Sequence, residues 1–262
     1  MKMSIRLVLV LPLFLAACAQ PPASRSKDAE GVETVNTRAR VHTELAAQYY
    51  VRRQYPVALQ ELREALLADA SYSPAYDMLG LVHTVLMEDK EAEASFRRAI
   101  ELAPQNSDAH NNFGYFLCAR NRRAEAMEHF ERAWRNPLYA TPERALANAG
   151  QCALRHGDPV EAERYAQRAL IRVGNQPQAL ATMAEIQYLR GNIVMARSLL
   201  QQLEAQGRPD AGALWLGLKL ERMAGNREAE ANYGLQLRRY YPESPEVTWL
   251  LNGQYDMPGG KQ

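Results

Sequence analysis

The chain has 262 residues, 47% hydrophobic and 23% charged, the composition of a folded domain rather than of a disordered or collagen-like chain. Its 31 basic and 30 acidic residues leave a formal charge of +1. That balance gives no electrostatic case for nucleic-acid binding, which wants a basic patch or stripe.

The first element in chain order is not part of a fold. Lys2 and Arg6 make a short basic start, Leu7 to Leu15 is apolar apart from Pro12, and Leu15-Ala16-Ala17-Cys18 follows. A basic start, a short apolar run and small residues before a cut describe an export signal over 1–17. The run is too short for a membrane span, which needs roughly 20 residues. Leu-Ala-Ala-Cys resembles a bacterial lipobox, in which Cys18 is lipidated and becomes the first mature residue. Each buried CH₂ of an acyl chain contributes about 0.8 kcal/mol, so several chains hold a folded body on a bilayer. Ala19 in place of Asp at the next position implies, by likeness to other bacterial lipoproteins, sorting to the outer membrane with the body facing the periplasm. Cleavage removes Lys2 and Arg6 and takes the side-chain charge from +1 to −1. Residues 18–38, rich in Pro, Ser, Gly and charge, are expected to be the lipidated Cys and a flexible tether.

From residue 39 stretches of helical period alternate with short breaks carrying Gly, Pro, Asn or Asp, which predicts helices joined by tight turns. A unit repeats through them. Tyr76, Leu79, Gly80, Ala92, Phe96, Ala99 and Pro104 match the tetratricopeptide repeat, a 34-residue helix pair with small and large residues at fixed offsets. Leu45, Ala46, Tyr49, Ala58, Leu62 and Ala65 occupy the same offsets one unit earlier, and Phe113, Gly114, Leu117, Ala126, Phe130 and Ala133 one unit later. Two residues are inserted near Asn136–Pro142, after which Gly150, Ala162 and Ala169, then Met183, Ala184, Ala196 and Leu200, resume the register. Trp215, Leu216, Gly217, Ala231, Leu235 and Pro242 make a sixth unit that no single register satisfies. The expected fold is all-α: a right-handed superhelical solenoid of about six helix pairs over 39–245. The units lie near 39–72, 73–106, 107–140, 143–176, 177–210 and 211–245, and 246–262 is a tail. A capped solenoid buries its own core, so a monomer is expected.

Chemistry is sparse. His42, His83, His110, His129 and His156 are scattered, with no His-Glu-x-x-His, no Cys-x-x-Cys, no phosphate-binding glycine loop and no nucleophile turn. No enzyme, cofactor or metal is expected. In a tetratricopeptide stack the first helix of each pair lines the inner groove, and the resemblance assigns Tyr50, Asp77, Leu81, Asn111, Tyr115, Gln151, Leu154, Glu185, Tyr188, Trp215 and Lys219 to it. That mixture suits an amphipathic peptide or helix and lacks the repeated cations that grip a terminal carboxylate. Cys118 and Cys152 lie one repeat length apart on neighbouring first helices. They are either two buried thiols or a disulfide, and an oxidising compartment favours the bond.

Lipobox, tether and repeats together resemble the type IV pilus biogenesis lipoproteins of the PilF/PilW family. His110-Asn111-Asn112-Phe113-Gly114-Tyr115-Phe116-Leu117-Cys118 carries the likeness, and Asn232-Tyr233-Gly234-Leu235-Gln236-Leu237-Arg238-Arg239-Tyr240-Tyr241-Pro242 carries it more specifically. The resemblance implies a pilotin role, in which the secretin subunit of the pilus machinery is the partner. A tetratricopeptide lipoprotein organising peptidoglycan enzymes or outer-membrane protein assembly is the alternative.

Overall fold

A computed structural model describes residues 27–256, which contain thirteen helices and no strand. Twelve form six antiparallel pairs: α1 (Lys27–Val51) with α2 (Tyr55–Ala68), α3 (Ser73–Val85) with α4 (Asp89–Leu102), and α5 (Ser107–Ala119) with α6 (Arg123–Arg135). Next come α7 (Pro142–Arg155) with α8 (Pro159–Arg172), α9 (Pro177–Leu189) with α10 (Ile193–Glu204), and α11 (Ala211–Met223) with α12 (Arg227–Tyr240). A short α13 (Pro245–Leu251) closes the array. Helix starts are written locally. Proline, which needs no donor in a first turn, sits at the start of α2, α3, α7, α8, α9 and α13. The side chains of Asn106, Asp158 and Asp210 accept the orphan N–H of Ala109, Glu161 and Ala213.

Each pair is held by a size match. At the crossing of α3 and α4, a Cβ added to Gly80 would stand 2.5 Å from the ring of Phe96, which is fully buried. Gly114 meets Phe130 in the same way. The missing side chain lets the helices approach until the ring fills the gap, giving the close packing of a protein interior.

Between pairs the packing is asymmetric. First helices pack backbone to backbone along the row α1, α3, α5, α7, α9, α11, whereas second helices meet one another through long side chains, as Trp134 of α6 meets Tyr165 of α8. The layer in closer contact takes the shorter arc, so the stack curves with the first helices inside.

The turn inside each pair uses the left-handed backbone region at one repeating position. Arg53, Met87 and Asn121 have φ near 60°, and Gly157, Gly191 and Gly225 near 75°. The first three are not glycine and hold a conformation that L-residues enter at a cost.

Two histidines lie between α5 and α6. His110 Nε2 is 3.1 Å from the carbonyl of Pro104, which only accepts, so Nε2 carries the proton. His110 Nδ1 is then an acceptor, and His129 Nδ1–H donates to it at 2.8 Å. Burial lowers both pKa values, His129 to about 4, with His110 adding to the shift of His129.

The ends differ from the sequence expectation. α1 starts at Lys27, inside the segment expected to be tether, because Lys27–Thr37 contains no proline and only one glycine. Its Ala39 is fully buried. Cys18 lies outside the described residues. At the other end α13 is packed: Val247 and Trp249 are buried against Leu214, Trp215, Leu218 and Leu237. The sixth pair keeps the crossing of the earlier ones. Gly217 takes the ring of Tyr233, while one residue on Leu218 faces Gly234. Gly217 on α11 and Tyr233 on α12 keep the order and spacing of Gly80 and Phe96, so the ordinary register holds at this crossing and Ala229, not Ala231, takes the small offset.

Candidate partner-binding surface

The inner layer carries the residues the repeat offsets select, but it sorts them into exposed and covered groups. Tyr115 on α5 is 45% exposed, and Tyr50 on α1, Leu81 on α3, Gln151 and Leu154 on α7, and Glu185 and Tyr188 on α9 are partly exposed. Tyr50 packs edge-on against Tyr55 at 5.8 Å, and burial raises its phenol pKa, with Tyr55 and Tyr115 adding to the shift. Leu81 and Leu154 also serve the core, Leu81 against the clusters on both sides of α3 and Leu154 beside Ile186. The accessible part of this face is therefore mainly tyrosine and amide, the amphipathic kind of surface that anchors peptides.

Asp77 and Asn111, expected to face the groove, are buried, Asn111 almost completely. They belong to a polar ladder across three first helices. Asn112 Nδ2 donates to Asp77 Oδ2 at 2.9 Å, Asn111 Nδ2 reaches Asn112 Oδ1 at 3.5 Å, and Asn148 Nδ2 donates to Asn111 Oδ1 at 2.9 Å. In each step between units, the sixth residue of one pair donates to the fifth residue of the pair before it. Sequence reasoning missed Asn112 and Asn148 because the groove offsets pass over position six. The available signal was an amide at that position in two consecutive units.

Asp77 ends the ladder. Its Oδ1 is buried without a hydrogen-bond partner among the described residues. Burial raises its carboxyl to about 7, against the opposing hydrogen bond from Asn112. A carboxylate with one oxygen unsatisfied is costly, and protonation relieves it.

At the far end of the layer Glu185, Tyr188 and Lys219 come together. Lys219 is buried, with Nζ 4.5 Å from the centre of the Tyr188 ring. Burial lowers its pKa, and Glu185 opposes the shift. Burial likewise raises Glu185, with Lys219 opposing. Lys219 is thus covered rather than presented. Trp215 is a second correction: it is fully buried, stacked on Tyr255 and packed against Trp249. The turn after α12 brings α13 over the place where a groove would continue. Cys118 on α5 and Cys152 on α7 are joined by a disulfide with Cα atoms 5.9 Å apart. It ties the third pair to the fourth across the longer connection at 136–141.

Paired helices of this length, with small residues at each crossing and first helices lining the inside, define a tetratricopeptide solenoid. A tetratricopeptide protein from Parabacteroides merdae shares that fold, with a TM-score of 0.66 over 86% of this chain and 88% of that one, at 16% identity. No protein-family model matches the chain. It is 31% identical to the type IV pilus assembly protein PilF of Pseudomonas aeruginosa over 247 residues, 93% of this chain and 97% of the relative. The solved structure of Pseudomonas aeruginosa PilF matches with a TM-score of 0.66 and 30% identity, covering 84% of this chain and 99% of that one. A crystal structure of PilW, described as a widely conserved type IV pilus biogenesis factor, matches with a TM-score of 0.66 and 31% identity over 81% and 98%. The chain belongs to this PilF/PilW family of type IV pilus biogenesis proteins.

Proposed function

We propose that the mature protein is an outer-membrane lipoprotein, anchored through acyl chains on Cys18, that holds the secretin subunit of the pilus machinery while it is localised and assembled. Family membership over nearly the whole chain is the observation that carries this reading. The Leu15-Ala16-Ala17-Cys18 sequence supports the anchor, and the exposed tyrosines of the first helices support binding of an extended or helical segment. Such a device needs no catalytic group: it delivers its partner to the bilayer and keeps it from leaving.

The test is made in the source organism. Replacing Cys18 by Ser removes acyl labelling and releases the protein from the outer membrane, and deleting the gene depletes secretin multimers. A photo-crosslinker at Tyr115 or Tyr188 gives an adduct containing secretin. Normal secretin multimers in the deletion strain rule out the assembly role, acyl label retained by Cys18→Ser rules out the anchor, and adducts from neither tyrosine rule out the inner face.

A further inference from the structure

The disulfide has a third neighbour. Cys152 and His156 are four residues apart at the end of α7, and therefore on one face of the helix. The backbone N–H of His156 donates to the carbonyl of Cys152 at 3.2 Å and fixes that turn. Both sulfurs and a ring nitrogen of His156 lie within 4.8 Å of one another. His156 Nε2 is buried without a hydrogen-bond partner among the described residues, an arrangement that costs about 1–3 kcal/mol.

We propose that, once the Cys118–Cys152 bond is reduced, Cys118, Cys152 and His156 bind one zinc ion. Zinc takes thiolate at about 2.3 Å and imidazole at 2.0–2.1 Å, and a tetrahedral site of that size holds its two sulfurs roughly 3.8 Å apart. The sulfurs reach that separation by rotation about the Cα–Cβ bonds, on helices already 5.9 Å apart at Cα. Two thiolates, a neutral imidazole and Zn²⁺ sum to zero charge. Both cysteines are buried, where a neutral cluster escapes the penalty of a lone ion. His156 is the partly exposed member, and a water completes the fourth position on its side. Coordination through Nε2 would give that orphaned nitrogen its partner.

The chemistry balances with a dithiol as reductant. It becomes a disulfide and gives two electrons and two protons to the Cys118–Cys152 bond, and the two thiols then release two protons to solvent as zinc binds. The ion replaces the covalent link between the third and fourth pairs, so the same joint is clamped in either redox state.

The test uses the full chain carrying Cys18→Ser, so that Cys118 and Cys152 are the only sulfhydryls of its three cysteines. Reduction is by a water-soluble phosphine, which ends as the phosphine oxide and competes poorly for metal. With Zn²⁺ as the probe, the reduced chain retains one ion per molecule through gel filtration and the oxidised chain none. Cys118→Ser and Cys152→Ser each abolish retention, and His156→Ala weakens affinity about tenfold or more, since even an outer-shell change costs 10–100-fold. Co²⁺ in place of Zn²⁺ shows a thiolate charge-transfer band, and far-UV circular dichroism reports the helices. No zinc on reduced, helical protein overturns the proposal. So does His156→Ala binding as tightly as its parent, or loss of helicity on reduction that zinc does not reverse.

Discussion

Asp77→Asn is the substitution whose effect the ladder fixes in sign, size and pH range. The side chain keeps its shape, and its oxygen still accepts the hydrogen bond that Asn112 donates to Asp77 Oδ2 at 2.9 Å. What changes is that position 77 no longer ionises. Folding raises the Asp77 pKa from 3.8 to about 7. Between those values the unfolded chain has released the proton and the folded chain still holds it, so wild-type stability declines with rising pH. The raised carboxyl contributes its full stabilisation below 3.8 and has lost it by about 7. At 1.36 kcal/mol per unit the loss approaches about 4 kcal/mol. The variant lacks this slope. Urea denaturation of both proteins at pH 4, 5, 6, 7 and 8 measures the difference, in which every other titrating group cancels. The variant gains on the wild type up to pH 7, by about 4 kcal/mol in total, and no further above it. A gap independent of pH, or a variant weaker than wild type at pH 8, refutes the argument that Asp77 is the unsatisfied end of the ladder.

The histidine pair titrates the other way. Folding lowers His129 from 6.5 to about 4, so its stabilisation is complete above 6.5 and is lost as pH falls toward 4. Because the ring is partly exposed, the discounted effect is about 1–2 kcal/mol. His129→Phe removes that part of the acid sensitivity in denaturant titrations from pH 7 to 4. Gly80→Ala drives a methyl into Phe96 and lowers stability by about 2–3 kcal/mol in the same assay. Met87→Gly, at an exposed turn with φ of 60°, raises stability by about 0.5–1 kcal/mol. Thermal melts of the two glycine-related variants therefore shift in opposite directions.

The helix pairs were legible because a crossing constrains size. Gly80 and Phe96, or Gly114 and Phe130, must recur together wherever two helices cross this closely, and that recurrence survives without any other likeness. Exposure was less legible, because it depends on the neighbouring unit. Asp77 and Asn111 occupy groove offsets, yet residues of the next pair cover them. Trp215 was misplaced for two reasons: the Gly217–Tyr233 crossing puts it at the sixth residue of its unit, as Asn112 and Asn148 are in theirs, and α13 arrives from residues read as a tail. Val247 and Trp249 were the clue that this tail packs. His156 was counted among scattered histidines because its relation to Cys118 exists only after α5 and α7 lie side by side. Its relation to Cys152, one turn away on the same helix, was already in the sequence.

The docking of α13 on the last pair shapes the end of the array. A seventh unit of the ordinary kind would dock on the surface that Leu237 and Trp249 already occupy, with Tyr255 lying flat on Trp215 behind them. Among the described residues α13 therefore covers the face of α11 and α12 on which a further pair would dock. New pairs spliced upstream of α11 would meet the ordinary docking face that each earlier pair presents to the next.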